Sequence, residues 1–502
     1  MSGEQDEQDD PDWGFDVIDG GDWSSEFESA SGSDVSEFDL EDPGNLDWAS
    51  FLEEAGLSLR PKVCDTSRLQ DSGFRQVALR RLGRVGHRYG DVTGRTVPQL
   101  VSRREHGLCQ RNPGFSPGHR ASIGSRFIPN VPNLQAKYGF KAFCGQYSRD
   151  GNVFLTACQD QRIRVYDTRR GSFRLKRTIQ APNIEWSILD TALSSDGRYV
   201  VYSGWSDSIY VCEVLKKEGS VHQLPFSHDG FASCVFSLTF SHDDSEIMGA
   251  ANDGCLYVFD RRRQERTLCI HSHSNDANAV TFADASSQIL FSGGDDGLLK
   301  VWDRRMLSEE NPREVGILLG HFDGITHIHS RGDNRFLISN SKDQTIKLWD
   351  IRKLSPAATV KPSISKLRSM HRWDYRWQRT PSDRVTAPRL PGDTAVMTYA
   401  GHVVLRTLIR CYFSPDFTTG QRFIYSGSAN GDIFVYDVLT GEVAARLKGH
   451  RSCVRDVSWH PYSPRMLSVS WDCTVCRWEC GTDDDEKFAD ALPSLITRGD
   501  AH

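Results

Sequence analysis

The first 59 residues contain no lysine or arginine at all, against 19 aspartates and glutamates, so the formal charge of −7 splits into −19 for this segment and +12 for the remainder. Rich also in Ser and Gly, residues 1–45 bury too little apolar surface to offset the entropy of ordering, and we expect a disordered acidic tail. Long apolar runs are missing too. Nothing approaches the ~18–20 residues of a membrane-spanning helix, and the opening MSGEQDEQDD has neither a basic nor an apolar leader region, so a soluble, intracellular chain with no membrane partner is expected. The 13 cysteines are odd in number and scattered, which suits a reducing compartment rather than a disulfide framework. Cys473, Cys476 and Cys480 lack a second CxxC or a Cys/His pair at finger spacing, so no metal is expected there. No once-only nucleophile and no phosphate-binding loop is found, and we expect neither catalysis nor a cofactor.

What is present is a repeat. Residues 320–352, GHFDGITHIHSRGDNRFLISNSKDQTIKLWDIR, open on Gly-His, close near Trp-Asp and alternate like strands between them. Asp343 lies six residues before Trp349 and Ser339 ten before it. The six-residue spacing recurs in Asp160/Tyr166, Asp207/Glu213, Asp253/Phe259, Asp296/Trp302, Asn430/Tyr436 and Asp472/Trp478. The tenth position back is Thr156, Ser292, Ser426 and Ser468 in four further copies, with Gly249 as a departure. Successive acidic positions are 47, 46, 43, 47, 87 and 42 residues apart. The long interval contains residues 355–393, which lack turn signals and runs of β-formers, and is read as one repeat with an insertion. Units of this kind bury their apolar faces only against neighbouring copies at a period of ~40–45 residues. The expected fold is therefore all-β, a seven-bladed WD40 β-propeller over residues 120–480.

In such a blade the Gly-His lies between strands d and a, the hydroxyl on strand b, the Asp in the b–c turn and the Trp on strand c. A buried His then donates to the Asp while hydroxyl and indole complete the network. His321, Ser339, Asp343 and Trp349 form the fullest set; His450, Ser468, Asp472 and Trp478 form a second, and His273 with Ser292, Asp296 and Trp302 a third. Their recurrence argues for structural tetrads and against a Ser-His-Asp nucleophile, which is needed once.

Before the propeller, residues 46–111 read as helical and basic. Trp48, Phe51, Leu52 and Ala55 have helical spacing, and further helices are predicted over 74–82 and 97–106, with Pro98 in a first turn. Twelve Lys/Arg against four Asp/Glu in residues 60–111 raise nucleic acid as a partner, but no binding motif accompanies them, and docking on a protein is the preferred reading. Residues 112–119 read as a Pro/Gly linker. No β run remains after Trp478, so the ring must be closed by an N-terminal strand, expected within residues 121–130, and residues 481–502 read as a second disordered tail.

Four copies place an arginine two residues after the acidic residue that follows the strand-c aromatic: Arg169, Arg262, Arg305 and Arg352. These stand in c–d turns on one rim, where guanidinium groups read carboxylates and carbonyls with bidentate geometry, or else pair with their own preceding Asp. The insertion leaves from the same rim and carries Trp373, Tyr375 and Trp377 among arginines, the composition of an interface core, or of a loop folded back over a blade. With NDGCLYVFDR, SSQILFSGGDD, SNSKDQTIKLWDIR, FIYSG and CVRDVSWHP, this WDxR pattern resembles the WD40 substrate receptors of cullin-4 RING ubiquitin ligases, the associated factors of the adaptor damaged-DNA-binding protein one. The resemblance implies a non-catalytic ligase subunit of nucleus and cytoplasm. It would bind the adaptor through these arginines and the N-terminal helices, and present protein substrates, among them cap-and-collar bZIP stress-response transcription factors, for ubiquitination and proteasomal degradation. No direct nucleic-acid contact is implied. The alternative is a WD40 scaffold of a nuclear RNA-processing or chromatin assembly.

Overall fold

The computed structural model describes residues 64–83, 96–106, 115–216, 221–226, 234–370 and 389–481. The acidic tail, the helix expected around Trp48, the insertion residues Trp373, Tyr375 and Trp377, and the tail beyond 481 lie outside the described residues. Seven four-stranded antiparallel sheets form the seven-bladed propeller expected from the repeat. Blades 1 to 6 span residues 142–180, 185–225, 235–271, 277–318, 325–400 and 411–447, each running from strand a at the central channel to strand d outside. Blade 7 takes strands a to c from 454–479 and its outer strand from Val131–Lys137.

The turn chemistry explains why one acidic position recurs. In six b–c turns the residue after that position has a left-handed backbone or is a glycine with positive φ: Gln161, Gly254, Gly297, Gln344, Gly431 and Cys473. In the same six turns the Asp or Asn side chain accepts the backbone N–H two residues on, as in Thr345 N to Asp343 Oδ1 at 3.0 Å. A short carboxylate or amide thus holds a hairpin whose backbone most side chains disfavour.

Two expectations are corrected. Residues 121–130 do not supply the closing strand. Ser116 and Pro117 start a helix instead, with Ser116 Oγ accepting from His119 N at 3.2 Å, and the helix runs Pro117–Gly124. The strand follows it, with Val131 opposite Glu479 and Lys137 opposite Thr474. The insertion 355–393 likewise holds a helix, Ala357–Met370, because Val360, Ile364 and Leu367 repeat at helical spacing and meet Leu298, Ile317, Leu319, Phe322 and Leu390. Read only as an absence of strands, the segment concealed that stripe.

The interior is polar as well as apolar. His327 Nδ1 and His329 Nδ1 on strand a of blade 5 accept the backbone N–H groups of Cys411 (3.4 Å) and Phe413 (3.2 Å) from strand a of blade 6. A ring nitrogen that accepts is unprotonated, and burial pushes the His329 imidazole down to about 4 and that of His327 well below its ordinary range. His402 is also pushed down to about 4 by burial, with its ring nitrogens against Tyr436 Oη (3.0 Å) and Asn340 Oδ1 (2.9 Å). Depressed in the fold, these groups contribute stability that is complete above the unfolded histidine value and is lost as pH falls towards about 4. Thermal melts between about pH 7 and about pH 5 should show a falling Tm, equivalent to about 2 kcal/mol for each of His329 and His402; a Tm independent of pH over that range would contradict neutral burial.

Candidate functional site

The tetrads are the supports on which the rims stand. His321 Nδ1 lies 2.9 Å from Asp343 Oδ2, His321 Nε2 lies 2.7 Å from Ser339 Oγ, and Trp349 Nε1 donates to the same hydroxyl at 2.7 Å. His450, Asp472, Ser468 and Trp478 repeat this at 2.9, 2.7 and 2.8 Å, and His273, Asp296, Ser292 and Trp302 at 3.0, 2.8 and 2.9 Å. In blade 1 Tyr138 takes the histidine's place, its hydroxyl 2.9 Å from Thr156 Oγ1 and 2.8 Å from Tyr166 Oη. Burial alone would raise the Asp343 carboxyl. The His321 imidazole beside it, with Lys347 and the Thr345 hydroxyl, outweighs that and holds it well below the usual carboxylate range.

Each tetrad Trp is followed by the last residue of strand c, at the rim that carries the a–b and c–d connections. There Asp167, Asp260, Asp303 and Asp350 sit opposite the first residue of strand b. Their carboxylates accept the backbone N–H of Arg169, Arg262, Arg305 and Arg352 at 3.0, 2.7, 3.0 and 3.1 Å. The Asp-x-Arg spacing is therefore first a turn device, and the four guanidinium groups then diverge. Arg169 and Arg305 fold back as two-pronged pairs on Asp167 and Asp303, while remaining 63% and 69% exposed. Arg352 cannot do so because Arg335 already grips Asp350, with Nη2 to Oδ2 at 2.7 Å. Asp260 faces Arg263 at 3.8 Å. Among the described residues Arg262 and Arg352 have no carboxylate partner. The Asp-x-Arg spacing alone, which also singles out the consecutive pair Arg305 and Arg352, does not separate the two members of that pair. The recurring arginine at the foot of strand b, seen again in Arg422–Asp437 and Arg465–Glu479, was the signal that separates them.

Three of the four N-terminal helices described occupy this rim, over blades 5 and 6. Helices α1 (Ser67–Gln70) and α2 (Gly73–Arg81) bury Leu69, Phe74 and Ala78 against Phe336, Met397, Tyr399 and Val438. Phe74 meets Phe336 edge-on at 4.9 Å, with the Arg331 guanidinium 4.9 Å over its ring. Cys64 Sγ donates to Gly441 O at 3.2 Å and Arg68 Nη1 to Asp393 O at 2.7 Å. Helix α4 (Pro117–Gly124) packs so closely on the a–b connection of blade 6 that a Cβ on Gly124 would collide with the Thr418 carbonyl. The expected adaptor-docking segment, 46–111, thus divides. Its apolar α2 face is buried on this chain's own propeller, which helical spacing alone could not disclose. Helix α3 (Val97–Glu105), started by a Thr96–Gln99 capping box, keeps Pro98, Gln99, Ser102, Arg104 and Glu105 exposed.

The insertion leaves the same rim but does not stay there. Leu354 lies against Gly316, at the start of strand d in blade 4, whereas Leu367 lies against Gly297, in that blade's b–c turn. Helix α5 (Ala357–Met370) therefore climbs the outside of the ring to the opposite face, its ~21 Å length matching a six-residue strand. The described part of the insertion thus lies along the outside of blade 4.

Comparison with known proteins agrees with this architecture. The family model described as WD domain, G-beta repeat matches residues 263–303, 312–350 and 441–479. A LEC14B homolog of Prunus armeniaca is 41% identical over 402 residues, covering 78% of this chain and 82% of its own. A protein of Caenorhabditis briggsae named DDB1- and CUL4-associated factor 11 homolog is 38% identical over 414 residues, 79% of this chain and 74% of its own. Its namesake in Caenorhabditis elegans is 39% identical over 374 residues, 72% and 65%.

The α2 anchor is open to a direct check. Phe74→Ala should cost about 3 kcal/mol by leaving a cavity against Phe336, and should speed tryptic cleavage among Arg75, Arg80 and Arg81 before the propeller unfolds. Cleavage at the wild-type rate would show that α2 is not held as described.

Proposed function

Because this chain belongs to the WD40-repeat family that includes LEC14B and the DDB1- and CUL4-associated factor 11 homologues, we propose that it is a non-catalytic substrate receptor of a cullin-4 RING ubiquitin ligase. The adaptor, damaged-DNA-binding protein one, docks on the a–b/c–d rim. The observation that carries this reading is that free or weakly held arginines share one rim with the helices on either side of the exposed, capped helix α3. Arg352 and Arg262 lack carboxylate partners, Arg305 and Arg169 hold theirs in exposed pairs that are cheap to exchange, and the segments flanking α3 are anchored over blades 5 and 6.

The mechanism requires no bond chemistry from this chain. A ring of interlocked blades holds two faces apart, so a substrate on the b–c/d–a face is kept near the ubiquitin-conjugating enzyme recruited through the other. Its lysines then react at the effective concentration set by that tether. Cap-and-collar bZIP transcription factors are the substrate class that the sequence resemblance implies, and nucleus and cytoplasm are where such a receptor acts.

Affinity purification of the full chain beside an Arg305→Ala, Arg352→Ala variant tests the rim. Wild type should retain the adaptor and cullin-4, and the double variant should lose at least about tenfold of both. Arg352→Ala alone should weaken binding more than Arg169→Ala, whose guanidinium already has Asp167. Undiminished recovery with the double variant would overturn the assigned residues, and absence of the adaptor from wild type would overturn the receptor reading.

A further inference from the structure

On the b–c/d–a face, around the mouth of the central channel at blades 7, 1 and 2, aromatic rings and cations occur together. Phe143, near the start of strand a in blade 1, has Trp186 edge-on at 5.4 Å and Trp471 at 5.7 Å, and the Lys141 ammonium stands 5.1 Å over Trp471. The platform is fixed from beneath. Buried Arg455 donates to the carbonyls of Phe143 (2.6 Å) and Leu189 (3.0 Å), with its guanidinium 5.3 Å from the Phe143 ring.

Trp186 is the residue the fold itself does not require. Its backbone is left-handed, with φ 58°, where strand a of blade 2 breaks register against strand b, and the residue is 48% exposed. A large aromatic in that conformation costs on the order of 1 kcal/mol and here buries only part of its ring. Phe140, beside Lys141 in the d–a connection of blades 7 and 1, is 54% exposed. Outward-facing aromatics of this size on a rigid base are what interface centres use.

The charge on this face is uneven. In blade 5 the Lys342 ammonium is neutralised by Asp295 at 2.7 Å. By contrast the side-chain cations of Lys141, Arg406 and Arg451, in the d–a connections leading into blades 1, 6 and 7, have no ion-pair partner among the described residues, although the Arg451 backbone N–H donates to Asp472 at 3.0 Å. Thr407, next to Arg406, accepts from Arg455 Nε at 3.2 Å, so the connection that carries Arg406 is tied to the same buried arginine that holds Phe143. Across the channel, Asp253 lies in the b–c turn of blade 3.

We propose that Trp186, Trp471, Phe140, Lys141, Arg406 and Arg451 form the substrate-binding surface, and that it takes an extended acidic peptide segment carrying an aromatic or aliphatic anchor. The cations meet the carboxylates, and the Trp186–Phe143–Trp471 platform takes the anchor. The inference rests on the receptor reading for the word substrate but not for the binding chemistry. A protein segment is favoured over single-stranded nucleic acid because the cations cluster at one side of the mouth. They do not form a groove tracking a phosphate backbone, and Asp253 across the channel repels a longer polyanion.

The test is fluorescence anisotropy with the full chain and a labelled peptide of Asp and Glu interrupted by Leu and Phe, beside a control with Lys in place of the acids. Wild type should bind the acidic peptide and not the control. Lys141→Glu with Arg406→Glu should weaken binding about tenfold or more, with the effect shrinking at high salt. Trp186→Gly should also weaken it without lowering Tm by more than the lost ring contact, since glycine suits the left-handed backbone. Wild type that fails to bind, charge-reversed variants that bind as wild type, or equal affinity for a single-stranded oligonucleotide would each overturn the proposal. Adaptor recovery, measured on the same variants, should stay at the wild-type level. Expected peptide binding without any adaptor in wild type would remove the receptor reading and leave the peptide surface supported.

Discussion

The last blade of this ring is completed only by a strand from elsewhere in the chain, and here Val131–Lys137 does this by pairing antiparallel with Thr474–Glu479. The direction of that strand has a consequence beyond closure. It starts opposite Glu479, the end of strand c in blade 7, so the chain enters the ring from the a–b/c–d rim. The described segments N-terminal to it that touch the propeller do so on that side: α4 against Thr418, α2 against Phe336, and Cys64 against Gly441. The topology that seals the propeller thus delivers the basic N-terminal helices to the rim bearing the WDxR arginines.

Opposed faces serve a receptor only if the body between them is stiff. The buried polar network supplies that stiffness across blades that share no sheet. Arg410, the residue before strand a of blade 6, reaches both Asp190 of blade 2 and Asp456 of blade 7, at 3.0 Å to the latter. Burial pushes the Asp456 carboxyl up, and the arginine keeps the cluster from standing as two unshared acids. Arg410 and Asp190 line a polar cavity of about 300 Å³ between the inner strands, together with His327, His329 and Tyr412. With the neutral histidines bridging blades 5 and 6, these contacts make the ring one mechanical unit.

Much of this was legible in the sequence because the repeat states its own physics. A carboxylate in a tight turn, a hydroxyl ten residues before a tryptophan and a histidine upstream must end in one buried network, so the tetrads and the blade count follow from spacing. Helices over 74–82 and 97–106 were legible from their apolar spacing and Pro98. What spacing could not carry was the choice of partner surface. The stripe of Leu69, Phe74 and Ala78 reads identically whether it covers an adaptor or the chain's own blades. The helix at 117–124 was hidden by its Gly and Pro content, although Ser116-Pro117 marked its start. Trp186 left no signal, since a left-handed backbone at a tryptophan has no counterpart in composition. The difference between Arg305 and Arg352 was written at Arg335, one residue before strand b, and went unread.

The central claim is that this molecule uses its two faces for two partners, adaptor on the arginine rim and substrate opposite. Hydrogen–deuterium exchange of the full chain with and without purified damaged-DNA-binding protein one tests it most directly. The expected result is slowed exchange in residues 96–106 and in the c–d turns around 167–172, 303–307 and 350–355, with no change around 138–141, 183–187 and 471–473. Protection of the second set and not the first would contradict the account.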